Sequence, residues 1–94
     1  MSKSVEPIAQ TTITLSRPLV LDDKTIETLK IREPEVRDFR IANQQGNNAV
    51  DREVIVAARC CGLVLEDMDG IAWKDYQKIQ KFLFGENDSE GNAE

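Results

Sequence analysis

A proline that separates a strand-like segment from a helix-like segment constrains this chain more than any other feature. Residues 29–32 alternate apolar and charged side chains, which is the period of a strand. Pro34 lacks a backbone N–H, so it cannot continue a ladder of hydrogen bonds, but it suits the first position of a helix. Glu35 and Asp38 then place acids in a first helical turn, where the helix dipole favours negative charge. We therefore expect the chain to turn from strand to helix here.

The residues before this proline predict a β-hairpin over 11–32. Residues 11–16 alternate apolar or β-branched side chains with polar ones, which is typical of a half-buried strand. Pro18 predicts an interruption of the hairpin, because proline cannot donate to a ladder. The segment Asp22-Asp23-Lys24 predicts a tight turn. Since a two-stranded hairpin is marginal alone, we expect helices to cover its apolar face.

Three helices are predicted after the hairpin. Gly46 ends the first, Asn48 is a good N-cap for the second, and Gly62 ends the second. Between residues 54 and 61 only Arg59 is polar, which indicates a central, buried helix. The helices are predicted over about residues 34–45, 49–61 and 72–84.

The aromatic residues leave two interpretations open. Four of the five lie in the last predicted helix, where we expect Trp73 and Tyr76 to close the core. Phe82 and Phe84 fit either the core or a partly exposed patch for a partner. On the first helix an apolar stripe is expected from three residues at a spacing of three: Val36, Phe39 and Ala42.

The residue types argue against catalysis, a cofactor and a metal site. Histidine, the commonest general base and metal ligand, is absent from the chain. Cys60 and Cys61 are adjacent, so they lack the spacing of a zinc or redox pair and are interpreted as small buried apolar residues. The acidic residues 66–70 lack the register of an EF-hand loop. No glycine-rich phosphate motif is present. We expect neither an enzyme nor a cofactor.

A small DNA-binding regulator is an alternative interpretation. The last two predicted helices and their short connection resemble a helix-turn-helix, with lysines at 74, 78 and 81 on one face. A net charge of −5 and the absence of arginine from that helix argue against it, so nucleic acid is not expected as a partner. A generic protein adaptor is a third interpretation.

The predicted class is therefore a small single α+β domain over residues 11–84, with an N-terminal hairpin packed on about three helices. Residues 1–10 are expected to form a flexible arm, and residues 85–94, rich in Gly, Asn and acids, a disordered tail. No signal peptide or membrane-spanning segment is recognised in the sequence, so we expect a cytoplasmic protein with no membrane partner.

Five short motifs, taken in order, resemble one protein family. The motifs are Ile-Thr-Leu-Ser-Arg-Pro at 13–18, Leu-Lys-Ile-Arg-Glu-Pro at 29–34 followed by Asp38, Ala-Ala-Arg-Cys-Cys-Gly-Leu at 57–63, Glu-Asp-Met at 66–68, and Trp-Lys-Asp-Tyr at 73–76. Their order is similar to that of the small tail assembly chaperones of contractile-tailed bacteriophages and prophages, named for proteins E, 41 and 14, over roughly residues 12–84. Two positions depart from the pattern of that family. The turn is Asp22-Asp23-Lys24 where the family often has Asp-Gly, and Cys60-Cys61 replaces aliphatic or small residues.

The resemblance implies a non-enzymatic factor that binds the long, helical tape measure protein while the tail tube polymerises around it. It implies a place in the host bacterial cytoplasm and absence from the mature virion. The longer, frameshifted form of the same protein and self-association are further expected partners. The contacts are expected to be apolar, in the manner of a helix lying in a groove, with Phe39, Phe82 and Phe84 as candidates.

The charged residues around the proline are interpreted as structural. Arg32, Glu33 and Asp38 flank Pro34 with no histidine, nucleophile or metal cluster nearby. We expect these four residues to form a pivot that sets the angle between the hairpin and the first helix.

Overall fold

A two-stranded antiparallel sheet followed by helices forms the fold of residues 9–85, the part of the chain that the structure, a computed structural model, describes. The predicted α+β class, with a hairpin packed on helices, is confirmed. Most of the arm predicted over 1–10 and of the tail predicted over 85–94 lies outside the described residues. The elements are β1 (Gln10–Leu21), β2 (Lys24–Arg32), α1 (Val36–Gln45), α2 (Ala49–Cys61), α3 (Leu65–Met68) and α4 (Trp73–Phe84).

The hairpin turn lies where the sequence predicts it. Leu21 pairs with Lys24, so the loop is Asp22-Asp23 alone. Asp22 has a φ of 52°, in the left-handed region. Aspartate enters that region at less cost than most residues, because its short side chain can hydrogen-bond locally.

A large bulge interrupts β1 at the predicted break. Residues 15–18 of β1 lie opposite Glu27 of β2 alone. Pro18 lies within this bulge, where its missing N–H costs no ladder bond. Because four residues of β1 face a single residue of β2 here, N–H groups within the bulge lack partners in β2. The pairs that flank it are Thr14 with Thr28 and Leu19 with Ile26.

Helix α2 lies at the centre of the core, as its apolar sequence predicts. It spans the predicted residues 49–61, and the Oδ1 atom of Asn48 accepts the backbone N–H of Asp51 at 2.9 Å. Gly62 ends it with a φ of 74°. Apolar residues from the hairpin and from α4 pack against this helix. The buried core includes Leu15, Leu19, Leu29, Ile31, Ile55, Val56, Ala57, Ala58, Cys60 and Ile79.

Helix α1 differs from the prediction at its start and in its buried face. Pro34 is not the first helical residue, because Glu35 is the N-cap and Val36 begins the helix. The carboxylate of Asp38 accepts the Glu35 N–H, which sets the helix start two residues later. The expected apolar stripe is also wrong, since Val36 is 76% exposed and Asp38 faces inward with Ala42.

Candidate functional site

The Asp38 carboxylate is completely buried and joins three elements. Both terminal nitrogens of Arg32, at the end of β2, donate to it: Nη1 to Oδ2 and Nη2 to Oδ1, each at 2.8 Å. Arg59 on α2 donates its Nε–H to Oδ1 at 2.8 Å. The backbone N–H of Glu35 donates to Oδ2 at 2.7 Å. The hairpin, α1 and α2 therefore meet at a single side chain.

Electrostatics keep this cluster ionised. The hydrogen bonds from Arg32 hold the pKa of Asp38 well below its usual range, although burial acts in the opposite direction. The same interaction raises the pKa of Arg32. Because four donors occupy the carboxylate and its exposure is zero, Asp38 is not accessible to a substrate.

The residues of the predicted pivot are brought close together by the chain. Arg32 also donates to the carbonyl oxygen of Glu33 at 3.1 Å, and the Glu33 N–H donates to the carbonyl oxygen of Ala9 at 2.8 Å. Pro34 lies between Glu33 and the Glu35 cap. Arg59, which sequence reasoning did not include, completes the cluster. Its isolation as the one polar residue in the apolar half of α2 was the available signal.

A second buried carboxylate, that of Asp75 on α4, was not anticipated. It accepts the backbone N–H of Ser16 at 3.0 Å from each oxygen, the Ser16 hydroxyl at 3.1 Å and the Arg17 N–H at 3.4 Å. These are N–H groups of the bulge in β1. Burial acts to raise the pKa of Asp75. The hydrogen bonds from Ser16 and Arg17 together have the larger effect in the opposite direction, so the pKa lies below its usual value. Lys78 Nζ lies 3.7 Å away.

The sequence contains part of the information needed to predict that Asp75 is buried and accepts donors from the bulge. Asp75 lies four residues before Ile79, on the face of α4 that carries the apolar residues, and an acid there needs a partner. Pro18 indicated a break that would leave donors without a ladder partner. Nothing local connects those two observations, because 59 residues separate Ser16 from Asp75.

The phenylalanines named as partner-binding candidates lie in two places. Phe39 is 47% exposed and meets Phe84 edge to face, with ring centroids 6.4 Å apart. Phe84 and Phe82 are half-buried and pack against the core. Phe82 also lines a shallow cavity of about 330 Å³ beside Pro34. The structure thus brings Phe39 and Phe84 together and places Phe82 beside the pivot.

Trp73 is the main departure from the predicted core. It is the first residue of α4 and is 65% exposed, whereas Tyr76 is buried as expected, together with Ile79. Its ring packs on that of Tyr76 at 5.8 Å with an interplanar angle of 31°. The buried face of α4 is already occupied by residues one turn apart, and Trp73 lies beside that face. Val50, at the start of α2, is 70% exposed.

An open cavity of about 260 Å³ lies between the start of α2 and α4, and we name it the Trp73 groove. Glu53 contributes a carboxylate, whose Oε2 accepts the Tyr76 hydroxyl and the Gln80 side-chain N–H, each at 2.7 Å. Burial and the bond to Glu53 raise the pKa of Tyr76, so this hydroxyl keeps its proton and donates. The groove is lined by Val50, Glu53, Val54, Met68, Asp69, Ile71, Trp73, Tyr76 and Gln80.

Among residues 9–85 no group of three potential metal ligands lies together. Burial raises the pKa of Cys60 to about 11 and that of Cys61 to about 12, so both thiols stay protonated near neutral pH. Cys60 is buried as expected, and Cys61 is half-buried. In the described part of the chain, no helix is long and apolar enough to span a bilayer.

Two sets of features stand out in the described part of the chain. Among residues 9–85 the buried carboxylates of Asp38 and Asp75 accept hydrogen bonds from donors within the domain, and a few apolar side chains on helices, including Phe39, Val50 and Trp73, are exposed. The family model for phage tail assembly chaperone proteins E, 41 or 14 matches residues 12–87, and the chain belongs to that family. The resemblance inferred from the sequence is confirmed, and with it a role in phage tail assembly. Comparisons with curated proteins and with solved structures gave no match.

Proposed function

We propose that this chaperone binds the phage tape measure protein and keeps it soluble during tail tube assembly, without catalysing a reaction. Membership of the family supports a phage tail protein as the partner. The observation that carries the proposal is the pair Trp73 and Val50, which are 65% and 70% exposed on the same groove. Exposed apolar side chains around a concavity mark sites of protein interaction.

The state of the polar groups supports binding rather than chemistry. Asp38 and Asp75 are fully buried and hydrogen-bonded to neighbours within the domain. The thiols of Cys60 and Cys61 have raised pKa values, which removes their nucleophilic form near neutral pH. A catalyst needs a titratable group that reaches its substrate in a reactive form. Asp38 and Asp75 are buried, and the two thiols are protonated.

Phe39 and Phe84 form a second proposed contact region, and Phe82, beside Pro34, is a further candidate for contact with the partner. Phe39 is 47% exposed on α1, and its ring meets that of the half-buried Phe84 on α4 edge to face. A tape measure segment that covers Phe39 would gain apolar burial of about 25 cal/mol per Å². Because a contact with one partly exposed ring is weak, it suits a chaperone that must dissociate from its partner.

The remaining expectations belong to the same proposal. The chaperone acts in the host bacterial cytoplasm, associates with its longer frameshifted form and with itself, and is absent from the mature virion. Mass spectrometry of purified phage particles tests the last point, because peptides of this chain at structural copy number would contradict it. Size-exclusion chromatography of the two forms, expressed together and apart, tests the association.

Co-expression tests the central proposal. The tape measure protein from the same genome is expressed alone, with this chain, or with an unrelated acidic protein of similar size. We expect it in the soluble fraction only with the chaperone, and the two should co-purify. Unchanged aggregation in the presence of the chaperone would contradict the proposal. Retention of the chain on heparin that is lost with added salt would favour the DNA-binding alternative instead.

A further inference from the structure

We infer that the Trp73 groove is the docking site for the tape measure protein and that it selects an amphipathic helix. The apolar residue that enters the groove is flanked, about one helical turn to either side, by lysine or arginine. The inference rests on the proposed function for the identity of the partner. It adds the position of the site and the chemistry that the site recognises.

The apolar part of the groove is held by several elements. Trp73 and Tyr76 come from α4, Val50 and Val54 from α2, and Ile71 from the segment between α3 and α4. The ring contact at 5.8 Å with the buried Tyr76 supports the exposed indole from one side. A surface built from side chains of packed elements loses little conformational entropy on binding. Tryptophans in this situation are the residues that most often dominate binding energy.

The volume of the groove favours a partner side chain over a small-molecule ligand. Pockets for drug-sized ligands and cofactors usually measure about 300–1,000 Å³. The Trp73 groove measures about 260 Å³, is open to solvent and has no histidine in its lining. This space accommodates one large apolar side chain of a helix that lies across the opening.

The charge of the groove supplies the selectivity. Glu53 and Asp69 are its two acidic residues, and no lysine or arginine is among its lining residues. The hydrogen bonds from Tyr76 and Gln80 hold the Glu53 carboxylate in one orientation. Lysine or arginine beside the docked apolar residue therefore gains a complementary contact, and an acidic residue there is repelled.

The chain offers a matched control outside the groove. Val20 on β1 is 66% exposed, close to the 70% of Val50, and it is not among the residues that line the groove. The variants Val50→Ala and Val20→Ala therefore compare the same substitution inside and outside the groove.

Binding of synthetic peptides to the full chain tests the inference. Peptides of about 20 residues, long enough to form a helix when bound, cover the tape measure protein of the same genome. The best binder is then remade with its basic residues changed to glutamate. Anisotropy of a labelled peptide measures affinity, and emission of Trp73, the chain's one tryptophan, reports on the groove.

We expect the basic form to shift Trp73 emission to the blue and the glutamate form to bind at least about tenfold more weakly. Trp73→Ala should weaken binding at least about tenfold, as expected for a hot spot. Val50→Ala, in the groove, should also weaken binding, whereas Val20→Ala, at an exposed residue outside the groove lining, should change it less than about twofold. Glu53→Gln, which still accepts the Tyr76 hydroxyl, combined with Asp69→Asn should reduce both the affinity for the basic peptide and its salt dependence.

Other outcomes separate failure of this inference from failure of the proposed function. If the wild-type chain keeps the tape measure protein soluble and Trp73→Ala does so equally well, the groove is not the site and the function stands. If no peptide binds and co-expression has no effect, both fail. A concentration-dependent blue shift of Trp73 without peptide, with dimers in sedimentation, would show that a second copy occupies the groove and would overturn the inference.

Discussion

The carboxylate of Asp75 lies 3.0 Å from the backbone nitrogen of Ser16, measured from either of its oxygens, although 59 residues separate the two in sequence. Asp75 therefore takes the place of the β2 carbonyl that the bulge removes from Ser16. Arg17, the next residue, also bonds through Nη2 to the carbonyl oxygen of Gly70 at 3.1 Å. The bulge and the start of α4 are joined by polar contacts rather than by apolar packing alone.

Replacement of Asp75 should destabilise the domain through the unpaired donors that it leaves. We expect Asp75→Ala to lower the free energy of unfolding by about 2–3 kcal/mol, because buried N–H groups lose their acceptor. Asp75→Asn keeps one acceptor oxygen and should cost less. Urea unfolding followed by circular dichroism measures both. Equal stability of wild type and Asp75→Ala would contradict this role.

Stability should fall in acid because two buried carboxylates must be protonated. An aspartate in an unfolded chain has a pKa of about 3.9, and the folded pKa values of Asp38 and Asp75 lie below that. Their contribution is fully present above the unfolded pKa and is lost as the pH falls through the folded values. The urea midpoint should therefore be constant above about pH 5, decrease as the pH falls below that value, and continue to decrease below about pH 3.

The variant Asp38→Asn tests how much of the loss of stability in acid comes from Asp38 and how much from other groups. At neutral pH the variant should lose about 2–3 kcal/mol, less than for a fully buried ion pair because the Arg32 and Arg59 side chains are 26% and 32% exposed. Its stability should then depend less steeply on pH than that of the wild type. A parallel pH profile for the two proteins would show that Asp38 does not contribute to acid sensitivity.

Arg32→Lys should test the proposed pivot without removing charge. Lysine cannot reproduce the two parallel bonds of 2.8 Å that Arg32 makes to Asp38. We expect a loss of about 1–2 kcal/mol. Residual dipolar couplings of the hairpin and α1 should also show a changed angle between them. An unchanged angle would show that Pro34 and core packing set the geometry without Arg32.

Two glycines should resist alanine for different reasons. Gly62 has a φ of 74° with open space where an alanine Cβ would lie, so Gly62→Ala should cost about 1 kcal/mol of backbone strain. At Gly46 a Cβ would lie 2.6 Å from Arg52 Cγ and 2.9 Å from the Arg52 backbone nitrogen. Gly46→Ala should therefore cost more than Gly62→Ala in urea unfolding, because the start of α2 has to shift. The reverse order would contradict this assignment.

The adjacent thiols should be unreactive in the folded protein. With a pKa of about 11, Cys60 is ionised to roughly one part in a thousand at about pH 8, and Cys61, at about 12, to a tenth of that. Iodoacetamide should label both slowly in native buffer and quickly in urea. Mass spectrometry of timed samples measures the two rates, and equal rates would contradict the burial.

Local patterns in the sequence were sufficient for most of the secondary structure. Alternation over residues 11–16, the turn at Asp22-Asp23, the Asn48 cap and the Gly62 end each depend on a few consecutive residues. Their conformational preferences act within one turn or one strand, so the pattern and the structure agree. The predicted start of α1 is two residues too early, because the Asp38 carboxylate accepts the Glu35 N–H and makes Glu35 the cap.

What only the tertiary structure decided is which side chains meet and which remain exposed. The sequence alone determined the class of fold, the order of its elements and, through its motifs, the family. It could not determine that Arg59 joins Arg32 at Asp38, that Asp75 completes the bulge in β1, or that Trp73 lies outside the core. Those outcomes depend on the packing of elements that are distant in sequence, where an acid on an apolar face finds its donors and an aromatic residue finds its place already occupied.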